Sequence, residues 1–391
     1  MRCDSQFVFA DEFISYKFKD DHPFNQLRVT MTKDLLEKEK ALREDQIIAP
    51  RMASEDDLKL FHSSAYVEAV KRASEGLLSE EQGFEYGIGT EDTPMFEGMH
   101  DASSLLVGST LSAIDAVIQG KTKHALNLGG GLHHGFERKA SGFCVYNDGA
   151  VGIKYIRKHT DYKVLYVDTD AHHGDGVQWA FYDDPNVCTF SIHETGRYLF
   201  PGTGNVNERG LKKGYGYSFN LPIDAFTEDE SFLEVYEYAF NEIVEYFQPD
   251  IIITQNGADA HYLDPLTHLC STMKIYERIP MIAHELAHKY CDGKWVALGG
   301  GGYDIWRVVP RAWSQLWKVM STGEPFSGPL PADWVSHWQK SSPVDLPSQW
   351  EDGEHSYKPI PRKAEITEKN NKVLTSCMQF IHNQKKYNSS I

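Results

Sequence analysis

Short apolar runs alternate with longer amphipathic segments along this chain. Residues 7–10, 124–128, 164–168, 187–191, 217–221, 251–254 and 295–298 read as strands. Residues 26–42, 102–118, 148–159, 228–247 and 272–290 carry helical patterns between them. The fourth helix is the clearest, because Phe232, Val235, Ala239, Ile243 and Tyr246 step by three or four and Thr227-Glu-Asp-Glu230 reads as a capping box. Such alternation implies right-handed βαβ crossovers and a mostly parallel sheet, so the predicted class is α/β. The end of the chain differs: seven of the seventeen prolines fall between Pro325 and Pro361. A main domain over residues 1–325 is therefore expected, with a proline-rich extension over 326–391 that wraps the same domain and ends in a helix at 363–387. No internal repeat appears, and no linker demands a second domain.

Composition narrows the class. Hydrophobic residues make up 41% and aromatics 12% of 391 residues, enough for a sizeable core. The formal charge of -17 argues against nucleic acid or an anionic membrane as partner. Six cysteines (Cys3, Cys144, Cys188, Cys270, Cys291, Cys377) are scattered with no Cys-x-x-Cys pair, which reads as reduced thiols in a cytoplasm. Met-Arg-Cys-Asp-Ser-Gln at the start lacks the apolar core of a signal peptide, and no apolar run approaches the ~18 residues of a membrane span. The expected protein is soluble and cytoplasmic.

Polar chemistry sits directly after four of the apolar runs. Leu126–Leu128 leads into three glycines and His133-His134, and residues 164–167 lead into Asp168-Thr-Asp170-Ala-His172-His173-Gly-Asp175. The third run, 251–254, precedes Asp259 and His261; the fourth, 296–298, precedes four glycines and Tyr303. In open parallel sheets the loops beyond the strands' carboxyl ends converge on the ligand site. Four such loops make a constellation. Asp168, Asp170 and His172 alternate along an extended segment and can project to one side, and burying them unpartnered would cost several kcal/mol each, by rough estimate. A divalent cation removes that cost. Asp170 and His172, joined by Asp259, offer two carboxylates and one imidazole, a three-ligand set that leaves room for water and substrate. Zinc suits it; oxygen-rich ligation also suits Fe(II), Mn(II) or Co(II). His133 and His134 can approach a water at the cation, each needing an orienting carboxylate, for which Asp168 and Asp175 are the candidates. Tyr303, after its glycines, can donate to an oxyanion.

Six stretches taken together resemble the zinc-dependent histone deacetylase superfamily. They are Leu128-Gly-Gly-Gly-Leu-His-His-Gly, Ser141-Gly-Phe-Cys-Val-Tyr-Asn-Asp148, Val167-Asp-Thr-Asp-Ala-His-His-Gly-Asp-Gly176, Phe200-Pro-Gly-Thr-Gly204, Gly257-Ala-Asp259 and Leu298-Gly-Gly-Gly-Gly-Tyr303. They are most similar to its class I-like bacterial branch, the acetoin utilization deacetylases, and the match runs in order across residues 5–320. The resemblance implies the arginase/deacetylase fold, a central parallel sheet of about eight strands flanked by helices. It implies zinc on Asp170, His172 and Asp259; His134 with Asp175 as general base and acid; His133 with Asp168 as electrostatic partner; and Tyr303 as carbonyl polariser. It implies a tunnel walled by Phe143 and Phe200 with Gly142 beside them, Leu266 near the mouth, and Asp92 on the rim to grip the substrate backbone. It also implies potassium held by Asp168, Asp170, His172, Ser191 and Ile192, and a second near Phe181, Asp184, Val187 and Tyr217. The related ureohydrolases hold two manganese ions, and Gly174 and His261 stand here where two of their carboxylates are expected.

The implied activity is hydrolysis of N6-acetyl-lysine in a protein substrate. The family suggests an acyl-CoA synthetase in acetoin or acetate metabolism as that partner. One rival keeps the chemistry but takes an acetylpolyamine or other small N-acetyl amine, although no long insertion narrows the entrance in the first hundred residues. The other is a non-catalytic acetyl-lysine binder, against which the intact Asp170, His172, Asp259, His134 and Tyr303 argue.

Overall fold

The computed structural model describes residues 4–353, 357 and 360–389. Cys3 and Pro359 lie outside them; the other five cysteines are free thiols. Eight strands form one sheet: β1 (Ser5–Val8), β2 (Ile47–Ile48), β3 (His124–Asn127), β4 (Val164–Asp168), β5 (Val187–Glu194), β6 (Ser218–Ile223), β7 (Ile251–Gln255) and β8 (Trp295–Leu298). Their order is β2-β1-β3-β8-β7-β4-β5-β6, and every pairing is parallel. All residues of β3, β4, β7 and β8 are buried, as parallel strands covered by helices on both faces must be. That is why apolar residues fill their middles, with polar groups such as His124, Asn127, Asp168 and Gln255 confined to their ends.

Two strands depart from expectation. β2 is a two-residue edge strand, too short for any periodicity. β5 runs on to Glu194 because its polar end is satisfied inside the protein: His193 Nδ1 lies 2.8 Å from Ser191 Oγ, and Glu194 accepts from the backbone N–H and the ring of His268 at 2.8 Å each. The predicted capping box at 227–230 does not form. Helix Asp229–Phe247 has Glu228 at its N-cap without a side-chain cap. Thr227 Oγ1 instead donates to Asp224 O (2.6 Å), and Asp229 accepts the backbone N–H of Thr272 (2.6 Å). A turn contact for Thr227 and a tertiary partner for Asp229 replace the capping pair.

Helices Glu55–Leu58, Ser64–Ser74 and Glu80–Glu85 cap themselves with Ser54, Ser63 and Ser79, a signal the periodicity reading passed over. Helix Met99–Ile118 is long and apolar enough to cross a membrane, contrary to the sequence reading, yet fourteen of its twenty residues are buried within the protein. It is a core helix.

Beyond residue 325, helix Ala332–Trp338 interrupts the extended chain. Leu330, Trp334, Leu346 and Trp350 form an apolar cluster with Met31 and Leu35. Helix Lys363–Ser389 packs on β6 and on Asp229–Phe247, where buried Asn370 bonds Thr227 and Ser231 at 2.9 Å each. Asp352 pins this region: it accepts from His261 Nε2 (2.9 Å), Met273 N (2.8 Å) and Arg311 Nη2 (2.9 Å). Arg311 is itself buried. Asp352→Asn should therefore destabilise the protein by about 3–5 kcal/mol, because it removes the counter-charge of a buried guanidinium. Urea unfolding beside the exposed Asp345→Asn control checks this; equal midpoints would refute it.

Burial, with Glu351 and Asp352 nearby, lifts Glu277 from 4.5 to about 7. The folded state thus binds more protons here than the unfolded one between pH 4.5 and 7, so stability from this group falls as pH rises through that window. Glu277→Gln should raise the melting temperature at pH 8 and leave it unchanged at pH 4. A gain at pH 4 of the same size would contradict this assignment.

Candidate active site

The four loops singled out in the sequence follow β3, β8, β7 and β4, which are consecutive neighbours in the sheet. Sheet order, not chain order, brings them together. Ligating atoms of Asp170, His172 and Asp259 all lie within 4.8 Å of one another, and all three residues are buried. His172 Nδ1 sits 3.1 Å from Asp170 Oδ1 and 3.0 Å from Asp259 Oδ2. Backbone and amide donors aim the carboxylates. Asp170 Oδ2 accepts from Gln255 Nε2 and Gly301 N at 2.7 Å each, and Asp259 Oδ1 accepts from Ala171 N at 2.8 Å.

Two acids and one imidazole facing a common buried point fit a divalent cation by charge and by donor type. Burial opposes charge on His172, but Asp170 and Asp259 outweigh it and hold the ring protonated, well above its ordinary value. A cation at that point offers the two carboxylates stronger compensation than the proton does. Gly301 completes the cradle, since a Cβ there would run into the carboxylates of both Asp259 and Asp170.

The two neighbouring histidines have opposite characters. His133 Nδ1 donates to Asp168 Oδ2 and His134 Nδ1 to Asp175 Oδ1, each at 2.7 Å, so both rings present Nε2 as the remaining nitrogen. Tyr166 also donates to Asp168 (3.2 Å). Burial works against protonating His133, yet Asp168 and Asp170 raise it to about 9. For His134 burial dominates, and the charge on His133, whose ring centre is 4.0 Å away, helps lower it to about 4. Their surroundings drive the two imidazoles in opposite directions, His133 toward charge and His134 toward the neutral form.

Aromatic rings surround these groups. Phe200 meets the His134 ring edge-on at 5.0 Å, and Phe143 meets Tyr303 at 5.8 Å. Tyr303 is 6.3 Å from the His172 ring, and burial together with Asp259 and Asp170 keeps its hydroxyl protonated. Phe143 adopts a left-handed backbone (φ 68°), held by Tyr16, whose hydroxyl donates to Phe143 O (2.6 Å) and accepts from Val145 N (3.1 Å). Gly142 (φ 51°) has no room for a side chain, because a Cβ would press on His134 and Phe200.

Asp92 is exposed, and its carbonyl is 3.3 Å from His22 Nε2; the His22 ring packs on Phe143 at 4.6 Å, which ties this turn to the aromatic wall. Leu266 is linked to Tyr303 through Asp264, which accepts from Leu266 N (2.9 Å) and Tyr303 N (2.8 Å). Of the potassium candidates, Asp168 pairs with Ser191 across β4 and β5, next to Ile192 and the Asp170–His172 loop. Phe181, Asp184, Val187 and Tyr217 gather at the opposite ends of β5 and β6, where Phe181 O accepts from Asp184 N (3.0 Å) and Tyr217 O from Thr189 N (3.0 Å). His261 turns away from the cation cradle to Asp352.

Several supporting residues escaped the sequence reading. Gln255 braces Asp170, and Asp148 accepts from Gly131 and Leu132 to shape the glycine turn before His133. Arg28 is buried between the rings of Phe24 and Trp313 and donates to Gly302 O (2.9 Å), steadying the loop before Tyr303. Burial lowers Arg28 to about 10. A single polar residue within a helix or strand leaves no local signature; only Asp148, inside a quoted motif, was within reach.

Strand ends that bring two carboxylates and an imidazole to one buried point, beside a carboxylate-anchored histidine, mark a class of parallel α/β hydrolases. Comparison with known proteins specifies it further: residues 22–320 match the histone deacetylase domain. The chain belongs to the histone deacetylase family, in its bacterial acetoin utilization branch. It is 59% identical to the acetoin utilization protein AcuC of Bacillus subtilis (strain 168) over 97% of this chain and 98% of that protein. It is 44% identical to AcuC of Staphylococcus xylosus over 97% and 99%. A crystal structure of an HDAC homolog from Aquifex aeolicus superposes with a TM-score of 0.83 at 30% identity, covering 94% of this chain and 99% of that one. An HDAC homolog complexed with SAHA superposes equally well, at 0.83. The fold and the family agree on a deacetylase.

Proposed function

We propose that this deacetylase hydrolyses the amide of N6-acetyl-lysine in a protein substrate, with zinc as its metal and Fe(II) as the alternative. The carrying observation is the arrangement of Phe143 over Tyr303 and Phe200 over His134, above the Asp170–His172–Asp259 cradle. Flat apolar walls suit an unbranched methylene stem, and its terminal amide carbonyl then meets the cradle. A cation bound there supplies Lewis acidity toward the carbonyl and makes water a better nucleophile. The Nε2 of neutral His134 accepts the proton of the attacking water and returns it to the departing amine. Asp175 keeps that nitrogen available by engaging Nδ1. Charged His133 stabilises the developing negative charge, and the Tyr303 hydroxyl donates to the carbonyl oxygen.

Potassium near Asp168 and Ser191, and near Asp184 and Tyr217, belongs to this reading. So do a rim role for Asp92 and a cytoplasmic site of action on an acyl-CoA-forming enzyme. The relatives' link to acetoin utilization supports the last of these.

An acetyl-lysine peptide with a fluorogenic leaving group, run beside an N-acetylated polyamine, tests the substrate. Efficient cleavage of the peptide and inhibition by SAHA are expected. Turnover of the polyamine alone would sink the protein-substrate reading, and full activity after strong chelation would sink the metal.

A further inference from the structure

A second group of metal-ligating side chains lies at the other end of the sheet. Helix Met273–Tyr290 carries His284-Glu285-Leu-Ala-His288, and its two histidines, four apart, lie on one helix face. His124, the first residue of β3, approaches them from the sheet. Ligating nitrogens of His124, His284 and His288 all lie within 4.8 Å of one another. His124 Nε2 and His288 Nε2 face each other at 3.2 Å. Two nitrogens bound tetrahedrally to zinc at ~2.0–2.1 Å stand about 3.3 Å apart, so this pair already has nearly the required spacing. The ring centres are 5.0, 5.1 and 4.5 Å apart, which brings all three imidazoles around one point.

We propose that His124, His284 and His288 form a second site for a borderline divalent cation such as Zn2+ or Ni2+, separate from the deacetylase centre. Imidazole is the donor these ions prefer, and three rings leave a fourth position for water. Burial and the neighbouring rings depress His124 to about 3, and burial with His288 depresses His284 to about 4, so these two rings do not carry a proton's charge that would repel a cation at neutral pH. Exposure rises from buried His124 through His284 to exposed His288, giving the ion a route from solvent. Asp292, paired with Lys123, follows closely after this helix and adds negative charge beside His288. Glu285 is exposed on the helix surface, so the assignment is to binding and not to a second hydrolysis. The active-site loops leave the carboxyl ends of the parallel strands, whereas His124 opens the amino end of β3. An ion there would clip helix Met273–Tyr290 to the start of the sheet without touching the chemistry.

The test uses the full chain without a histidine tag, stripped by a chelator and dialysed against Zn2+. Wild type should retain two zinc ions per chain by elemental analysis, and His284→Gln/His288→Gln should retain one with unchanged deacetylase turnover. Asp259→Asn should lose the other ion and keep the histidine site. Equal zinc content in wild type and the double histidine variant, or a single ion in wild type that Asp259→Asn abolishes, would overturn the proposal. His288→Gln alone, at an exposed position, guards against misfolding. Because the Trp295 ring is 5.6 Å from His124 and 6.4 Å from His284, Ni2+ should quench tryptophan emission more in wild type than in His288→Gln. Identical quenching would also overturn it.

Discussion

Tyr303→Phe should fold normally and bind acetyl-lysine substrate with little change, while turnover drops by about 10²–10³. The ring stays in place through contacts its hydroxyl does not make: Phe143 at 5.8 Å and a backbone N–H bonded to Asp264 at 2.8 Å. What is lost is one donor aimed at an oxygen that gains charge only as the amide is attacked, so kcat should fall and KM should hardly move. Steady-state kinetics on the peptide decide it. Near-normal kcat would remove Tyr303 from the chemistry.

His134→Ala should lower kcat by about 10²–10⁴, the span expected when a positioned acid–base group is removed. His134 stands outside the Asp170–His172–Asp259 set, so metal content should persist. Its distinction from His133 rests on environment: the same anchoring distance to a carboxylate, yet one ring neutral and the other charged. Loss of activity together with loss of the ion would move His134 into the metal shell. Normal activity would end its assignment as the proton carrier.

Much of the fold was legible because strands buried on both faces are mostly apolar. β3, β4, β7 and β8 announced themselves this way, and the polar groups after them stood out by contrast. The short Ile47–Ile48 strand and the polar end of β5 did not, since one is too short for a pattern and the other owes its burial to His268. Thr227 illustrates the converse, a sound local signal overridden by Asp224 and Asn370.

From the chain alone came the composition of the site: which loops carry carboxylates, imidazoles and a phenol, and that a cation must reconcile them. Those properties are local, set by residues within a few positions of an apolar run. Which carboxylate orients which histidine, how Gln255 and Arg28 brace the cradle, and that Asp352 anchors the far end of the chain were decided by the tertiary structure. So was the meeting of His288 with His124, 164 residues earlier. Each is a contact between distant segments, created only when β8 inserts between β3 and β7 and the sheet order sets neighbours that chain order cannot.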